Sequence, residues 1–155
     1  TEILRSCTEM GVTDFVPVVS TRSVRVPHQP ENKAARWTTV IESAAEQSKQ
    51  SQLPRLHAIT PMSDIAAHSR VASADVRLVP WEEEKETSLK SVLATYPLAE
   101  TLALVIGPEG GLAADEIAFL KSTGFHAVSL GPAILRVEHA GLAAISQIRY
   151  HYTPC

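Results

Sequence analysis

Cysteines and long hydrophobic runs are scarce in this 155-residue sequence, and each scarcity excludes a class of protein. The two cysteines, Cys7 and Cys155, stand near opposite ends without a CxxC spacing. We therefore expect two reduced thiols and neither a zinc site nor a disulfide framework. No apolar run approaches the ~18 residues of a membrane-spanning helix, and no signal-peptide pattern opens the chain. The sequence predicts a cytoplasmic protein with no metal site and no membrane segment.

A basic excess is missing as well, because 14 lysines and arginines stand against 17 aspartates and glutamates, for a net charge of −3. A stand-alone nucleic-acid-binding protein usually carries a marked positive excess. If RNA is the substrate, the chain must use a local basic patch or take affinity from elsewhere. The remaining composition, 45% hydrophobic and 20% charged, is typical of one globular domain.

Apolar residues recur with helical and strand spacings that alternate along the chain. The pattern predicts helices over residues 3–10, 34–47, 63–69, 87–95, 114–122 and 136–152, and strands over residues 14–20, 56–59, 75–80, 101–106 and 126–131. This alternation predicts an α/β fold with a mainly parallel sheet and helices on both faces. The continuous apolar run 101–106 is typical of a strand that is buried on both faces.

Three strand-to-helix loops, over residues 78–84, 106–112 and 130–136, carry unusual turn residues. In a parallel sheet such loops lie beyond the carboxyl ends of the strands, where ligands bind. We expect Gly107 and Gly131 to adopt positive φ, and Gly110 and Gly111 to expose backbone groups to a ligand. Because no phosphate loop, dinucleotide fingerprint or serine-hydrolase elbow is present, the loops predict a small, flat ligand held by backbone hydrogen bonds. Tight turns without a ligand are the alternative.

The segments around two of these loops resemble a known family. "LVIGPEGGLAADEI" (104–117) and "VSLGPAILRVEHAGLAAI" (128–145) are similar to the signature loops of the RsmE-type 16S rRNA uridine-N3 methyltransferases, which belong to the SPOUT class. "CTEMGVTDFVPVVSTRSV" (7–24) and "AAEQS" (44–48) match earlier segments of that family. The resemblance implies S-adenosylmethionine as cofactor, 16S rRNA of the small ribosomal subunit as partner, a C-terminal trefoil knot and a homodimer.

The resemblance also implies a set of cofactor-binding residues. Leu78 and Pro80 would border the adenosine, and the loop after strand 101–106 would wrap the cofactor by its backbone. Glu109 is expected to fix that loop by accepting backbone N–H bonds, with a position facing the sulfonium as the alternative. The residues assigned by resemblance on the last two loops are Ile106, Gly107, Pro108, Glu109, Gly110, Gly111, Ser129, Leu130, Gly131 and Leu135.

Two further residues match the family beside the last loop, namely Arg136 and Glu138. Methylation at uridine N3 requires loss of the N3 proton, and negative charge then spreads onto O2 and O4. We expect Arg136 to stabilise this anion and Glu138 to orient Arg136 or to accept the proton. An ion pair at the helix start is the alternative interpretation.

RNA contacts are assigned more loosely. Arg22 and Arg25 are candidates for phosphate contacts, and Glu9 and Gln47 for the RNA-facing cleft, although ordinary solvated positions explain the last two equally well. Arginines that the family usually carries after "EQS" are replaced here by "KQSQ", which removes expected phosphate contacts. A serine that commonly caps the helix after the glycine pair is replaced by Ala113.

The family's N-terminal PUA-like RNA-binding domain has no counterpart in the sequence, so residues 1–155 are expected to be the SPOUT methyltransferase domain alone. Such a domain should bind cofactor and dimerise but methylate poorly by itself. Two other functions stay open. One is another SPOUT RNA methyltransferase, and the other is a catalytically inactive SPOUT-like module that associates with RNA and dimerises. An unrelated α/β ligand-binding domain is disfavoured by the ordered match over the whole chain.

Overall fold

Helices and strands alternate along the chain in the computed structural model, which describes residues 1–20 and 29–154. The helices are α1 (Glu2–Glu9), α2 (Pro30–Gln47), α3 (Ser69–Ala72), α4 (Leu89–Ala94), α5 (Ala114–Ser122) and α6 (Val137–Tyr152), with a 3₁₀ helix over Met62–Ala67. The strands are β1 (Asp14–Phe15), β2 (Val18–Val19), β3 (Arg55–Leu56), β4 (Thr60–Pro61), β5 (Val76–Pro80), β6 (Leu102–Leu104) and β7 (Phe125–Val128). The predicted mixed α/β fold with parallel strands is confirmed.

Every strand pair in the described part of the chain is parallel. β5 lies between β6 and β7, with Arg77 opposite Ala103 on one side and Phe125 on the other. Two shorter pairs, β1 with β3 and β2 with β4, complete the pattern. Because the three long strands run in the same direction, their carboxyl ends and the loops that follow them meet at one edge of the sheet.

The two faces of the sheet pack into separate cores because side chains alternate along a strand. Val79 of β5 packs with Ile117 and Leu120 of α5 in one core. Leu78, its neighbour, packs with α4 residues such as Leu93 in the other core. All five side chains are almost fully buried. Burial of this kind stabilises a fold by roughly 1.5–3 kcal/mol per large side chain, so these contacts fix the sheet that carries the loops.

The predicted strand over residues 14–20 is divided into β1 and β2. Pro17 lies between them and has no N–H for a strand ladder, although its carbonyl still accepts a 2.8 Å hydrogen bond from Thr60. The opposite segment of the same chain, which contains β3 and β4, has one more residue between its two paired parts. Phe15 pairs with Leu56, but Val18 pairs with Thr60. The interruption therefore follows from proline chemistry and an added residue on the opposite side.

The prediction that strand 101–106 is buried on both faces is wrong. β6 is an edge strand of the three-stranded sheet, and all three of its residues are only half-buried. The central position, which does show the expected burial, belongs to β5. A continuous apolar run does not distinguish a central strand from an edge strand that is covered only in part.

Arg77 joins the amino edge of the sheet to two helices. Its guanidinium donates to the carbonyl oxygens of Val71 and Ala72 at the end of α3, at 3.0 and 2.9 Å. A third bond, of 2.7 Å, reaches the carbonyl oxygen of Thr123 just after α5. Helix carboxyl ends carry unpaired carbonyls and partial negative charge, so one cation satisfies both ends.

α6 packs closely on α1 at Gly141. A Cβ added there would lie 3.2 Å from Cδ1 of Ile3 and 3.4 Å from Sγ of Cys7. At this point α6 therefore faces a helix of the same chain. Burial at the contact raises the pKa of the Cys7 thiol to about 11.

No helix within residues 1–20 and 29–154 combines the length and the apolar character that crossing a bilayer requires.

Candidate active site

A cavity of about 550 Å³ lies beyond the carboxyl ends of β5, β6 and β7. Its wall is formed by the loops that follow these three strands and by the first turn of α6. This volume is within the range of about 300–1,000 Å³ that small-molecule sites usually have. The three loops that the sequence singled out therefore surround one space.

The loop after β6 turns at its glycine pair. The N–H of Gly111 donates to the carbonyl oxygen of Pro108 at 2.8 Å, and Gly111 has φ +75°, a conformation that side chains disfavour. Gly107 does not adopt the positive φ that we predicted. It is needed for space instead, because a Cβ there would lie 2.9 Å from Cγ of the buried Leu112.

The loop after β7 does contain the positive φ expected for Gly131, which is +130°. A hydrogen bond of 3.2 Å from the N–H of Gly131 to the hydroxyl oxygen of Ser129 closes the turn. The backbone of Ser129 is held in turn by the loop after β5, since its N–H donates to the carbonyl oxygen of Thr87 at 2.8 Å. The walls of the cavity thus share backbone hydrogen bonds.

Arg136 and Glu138 both lie on the cavity, at the start of α6. Arg136 is exposed, and its carbonyl oxygen accepts the first helical hydrogen bonds, from His139 at 3.0 Å and Ala140 at 2.8 Å. No ion pair joins Arg136 to Glu138 within the described residues. The arrangement presents a guanidinium, a carboxylate and the positive end of a helix dipole to the same space.

Most of the residues assigned by resemblance line this cavity. They are Pro80, Ile106, Gly107, Pro108, Glu109, Gly110, Gly111, Ser129, Leu130, Gly131 and Leu135. Leu78 does not, because its side chain has no exposed surface and packs in the core with α4. The alternation of side chains along β5 turns Leu78 into that core, and only the end of the strand, at Pro80, reaches the cavity.

Sequence reasoning missed several lining residues, most importantly Trp81, Glu82 and Lys85 on the loop after β5. The others are Leu112, Pro132, Ala133, Ile134, Val137 and Ala140. A signal for Trp81 and Glu82 was present, since residues 78–84 were recognised as a loop at the correct edge. This loop has no glycine, the residue that indicated backbone contacts with a ligand in the other two loops, so its charged side chains were not predicted to line the cavity.

Glu109 was expected to fix the glycine loop by accepting backbone N–H hydrogen bonds, and the described part of the structure does not have these bonds. Its side chain is exposed, and within the described residues its carboxylate accepts none of the hydrogen bonds that close the loop. The backbone bond between Gly111 and Pro108 closes it instead.

Ala113 starts α5 without the hydroxyl that a serine would supply. The carboxylate of Glu116 takes up part of that task, because it accepts a 3.1 Å hydrogen bond from the N–H of Ala113. This bond is one half of a capping box. Glu116 is buried, so the start of the helix that follows the glycine loop is fixed from inside the protein.

The candidate RNA contacts lie away from the cavity or outside the described residues. Glu9 and Gln47 are exposed, each at the carboxyl end of its helix, α1 or α2. Arg22 and Arg25 fall in residues 21–28, which the structure does not describe. Over the part of the chain that is described, no three His, Cys, Asp or Glu side chains are grouped to hold a metal ion.

A parallel sheet whose strand-to-helix loops enclose one cavity at the carboxyl edge defines an α/β domain built to bind a small ligand there. The chain belongs to the RNA methyltransferase domain family, because the sequence model of that family matches residues 1–149.

Two named relatives show how far this similarity extends. The ribosomal RNA small subunit methyltransferase E of Synechocystis is 36% identical over 148 residues, which are 95% of this chain and 48% of that protein. The Bacillus subtilis protein of the same name is 32% identical over 154 residues, 96% of this chain and 59% of the relative. The chain thus spans about half to three fifths of the length of these relatives.

Solved structures have the same fold. A ribosomal RNA small subunit methyltransferase E from Neisseria gonorrhoeae, bound to S-adenosyl methionine, matches with a TM-score of 0.85 and 28% identity over 96% of this chain and 59% of its own. A putative methyltransferase from Legionella pneumophila in complex with the cofactor matches with a TM-score of 0.84 and 26% identity, over 96% of this chain and 60% of its own.

Proposed function

We propose that this chain is an S-adenosylmethionine-dependent methyltransferase domain that acts on N3 of a uridine in the 16S rRNA of the small ribosomal subunit. The observation that carries the proposal is the position of Arg136 and Glu138 on the same cavity as the glycine-rich loops. Membership of the RNA methyltransferase domain family and the names of the relatives support the reaction class and the RNA.

The cavity fits the cofactor in size and in chemistry. Its volume of about 550 Å³ suits a nucleoside with an amino-acid tail. The positive φ angles of Gly111 and Gly131 hold two backbone turns against it. When bound, S-adenosylmethionine supplies an electrophilic methyl group on a positively charged sulfur. The residues that would hold it are those of the three loops, with Pro80 in place of the buried Leu78.

Arg136 supplies positive charge where the reaction develops negative charge. As the N3 proton of uridine leaves, charge spreads onto the two ring oxygens, and a fixed guanidinium beside them lowers the energy of the anion. Arg136 is suited to this role because its backbone is fixed as the first residue before α6 while its side chain is exposed on the cavity. The helix dipole behind it acts in the same direction.

Glu138 is the candidate for accepting the proton, directly or through a water molecule. It is half-buried on the first turn of α6 and lies on the cavity with Arg136. Since no ion pair joins the two side chains within the described residues, the proposal gives them separate roles: charge stabilisation for Arg136 and proton transfer for Glu138.

The proposal includes a SPOUT-type C-terminal trefoil knot and a homodimer. Similarity to the solved methyltransferases over 96% of the chain supports the first. The second draws support from Leu142 and Tyr150, apolar or aromatic residues of α6 that are 36% and 89% exposed. Sedimentation velocity tests the dimer, which should have about twice the 16.8 kDa mass of the chain.

The net charge of −3 supports weak RNA binding by this chain alone, with most RNA affinity in the whole protein coming from a PUA-like domain.

A two-stage experiment tests the function. Isothermal titration first measures binding of S-adenosylmethionine to the chain. Purified small ribosomal subunits that lack base methylation are then incubated with the chain and cofactor carrying a labelled methyl group, and the digested rRNA is analysed by mass spectrometry. We expect saturable binding and label in 3-methyluridine.

Three other outcomes would each favour a different conclusion. Label in a different nucleoside would replace the uridine-N3 assignment by another RNA methylation. Cofactor binding without any transfer, even at high enzyme concentration, would favour a non-catalytic RNA-associated module. Absence of cofactor binding by the folded chain would overturn the proposal as a whole.

A further inference from the structure

The loop after β5 brings two opposite charges to the cavity that the proposed mechanism does not use. Glu82 and Lys85 both line the cavity, while Glu83 between them is exposed away from it. The other charged lining residues are on the other two walls, at Glu109, Arg136 and Glu138. One wall of the site thus carries an acidic and a basic residue, three positions apart in the sequence.

Backbone hydrogen bonds hold this loop in place. The N–H of Trp81 donates to the carbonyl oxygen of Val128 at 3.0 Å, and the carboxylate of Glu84 accepts from the N–H groups of Glu86 and Thr87 at 2.9 and 2.8 Å. Those two bonds, the one from Thr87 first, lower the pKa of Glu84 and keep it an acceptor at neutral pH. The loop is therefore preorganised, and its charged side chains start from fixed positions.

The carboxylate of Glu82 points across the cavity to the glycine turn. Its Oε1 atom lies 3.8 Å from the position that a Cβ would occupy at Gly111. A ligand that passes along the half-buried backbone of Gly111 must therefore pass beside this carboxylate. Gly111 has no side chain to block that contact.

Lys85 does not neutralise Glu82. Its Nζ donates to the backbone carbonyl oxygen of Glu82 at 2.6 Å, and within the described residues neither side chain forms an ion pair. Both charges are consequently available to a ligand. A group that carries one positive and one negative charge a few ångströms apart complements them, and an α-amino acid end has this pair as its ammonium and its carboxylate.

We propose that Glu82 and Lys85 bind the amino-acid end of the cofactor, with the carboxylate of Glu82 accepting from its ammonium and the ammonium of Lys85 pairing with its carboxylate. This assignment rests on the proposed function, since it presupposes the cofactor. It gives the loop after β5 a role in selecting nucleosides that carry an amino-acid tail over nucleosides that lack one. Arg136 and Glu138 then act at the other end of the cofactor, where the methyl group is transferred to the uridine.

Binding measurements with three nucleosides test the assignment. S-adenosylhomocysteine has the whole amino-acid end, its decarboxylated analogue keeps only the ammonium, and 5′-methylthioadenosine has neither group but keeps the ribose and the base. Isothermal titration of the wild type gives the reference affinities. The variants are Glu82→Gln and Lys85→Met, with Glu83→Gln and Lys90→Met as matched controls at exposed positions away from the cavity.

Glu82→Gln should weaken binding of S-adenosylhomocysteine and of the decarboxylated analogue by roughly tenfold, or about 1.4 kcal/mol. Lys85→Met should weaken only S-adenosylhomocysteine, because the analogue lacks the carboxylate. Neither variant should change the affinity for 5′-methylthioadenosine, and the two controls should behave as wild type. Circular dichroism should give all four variants the wild-type unfolding temperature, since the replaced side chains are exposed.

Other outcomes overturn the assignment in different ways. Equal losses for S-adenosylhomocysteine and 5′-methylthioadenosine would place Glu82 on the ribose hydroxyls. Unchanged affinities in both variants would remove this wall from ligand binding while leaving the proposed function intact. If the wild type binds none of the three nucleosides, the proposed function fails together with this inference.

Discussion

Asp14 and His57 are joined by a hydrogen bond of 2.8 Å between Oδ1 and Nε2, which ties the start of β1 to the residue after β3. The same oxygen accepts from Nε of Arg70 at 3.1 Å, and the other carboxylate oxygen accepts from the hydroxyl of Thr13 at 2.8 Å. Partial burial raises the pKa of Asp14, but the bonds from His57 and Thr13 and the charge of Arg70 outweigh it. The pKa of this carboxyl therefore lies below its ordinary value.

Replacing Asp14 by Asn should lower the free energy of unfolding by about 1–3 kcal/mol at neutral pH, because charge-assisted hydrogen bonds are lost. A carboxyl with a depressed folded-state pKa stabilises the fold above its unfolded-state pKa of ~3.9 and loses that contribution as pH falls through the folded-state pKa. The gap between wild type and Asp14→Asn should therefore narrow in strong acid. Thermal unfolding at pH 7, 4 and 2.5 measures it, with the exposed Asp64→Asn as control. A gap of constant size would contradict this assignment.

Gly141→Val should destabilise the protein by about 1–3 kcal/mol, because the added side chain meets Ile3 and Cys7 on α1. Urea unfolding measures the loss. Ser146→Val, at an exposed position of the same helix, controls for the poorer helix propensity of valine. Equal effects of the two substitutions would show that the close approach of α1 and α6 does not limit the side chain at residue 141.

Cys7 should react slowly with iodoacetamide in the folded protein. With its pKa raised to about 11 by burial, the reactive thiolate is scarce at pH 8. Alkylation should be slower by two orders of magnitude or more than in the same chain unfolded in urea, where a thiol pKa of ~8.5 applies. Mass spectrometry of the peptide that contains Cys7 follows the reaction. Comparable rates in the two states would show that the thiol is not protected.

Gly111→Ala should lower stability by roughly 1 kcal/mol, because φ at this position is +75° and a β-carbon is strained there. Gly111→Asn should cost less, since asparagine tolerates left-handed backbone better than alanine does. Urea unfolding of the two variants gives the order. The reverse order would mean that contact with neighbouring groups, not backbone strain, determines the effect.

Arg136→Ala should reduce the rate of methyl transfer by about 10²–10³ while the cofactor Kd stays within about threefold, as expected for a group that acts on the transition state. Single-turnover transfer and isothermal titration measure the two quantities separately. Arg55→Ala, an exposed arginine on β3, is the control for general loss of positive charge. A variant that loses cofactor affinity and transfer rate in parallel would make Arg136 a cofactor-binding residue.

The sequence was most informative where one periodic pattern has one structural solution. α5 was predicted at residues 114–122 and occupies Ala114–Ser122, with Ile117 and Leu120 buried as the spacing requires. α6 was predicted from residue 136 and begins at Val137. The sequence itself marks the ends of these helices, by an acidic first turn or a following glycine. Their bounds could therefore be predicted without knowledge of tertiary contacts.

Tertiary context decided the rest. The local pattern of residues 101–106 is the same for a central strand and for an edge strand, and only the order of strands makes β6 the edge. Leu78 was assigned to the cofactor through its place in a motif, whereas the direction of its side chain depends on which face of β5 packs against α4. Glycines marked two walls of the cavity and the loop over residues 78–84 was expected at the same edge, but the residue pattern did not show that Glu82 and Lys85 line the cavity with Arg136.

The three bonds of Arg77 have a consequence for how the domain moves. They anchor the carboxyl ends of α3 and α5 to β5 at the amino edge of the sheet, so those helices cannot shift separately without breaking charge-assisted hydrogen bonds. The cavity is at the opposite edge, where the three loops and the first turn of α6 meet. We therefore expect the motions that admit and release a ligand to be concentrated in these loops, so amide hydrogen exchange should be fast at the loop tips and slow along β5.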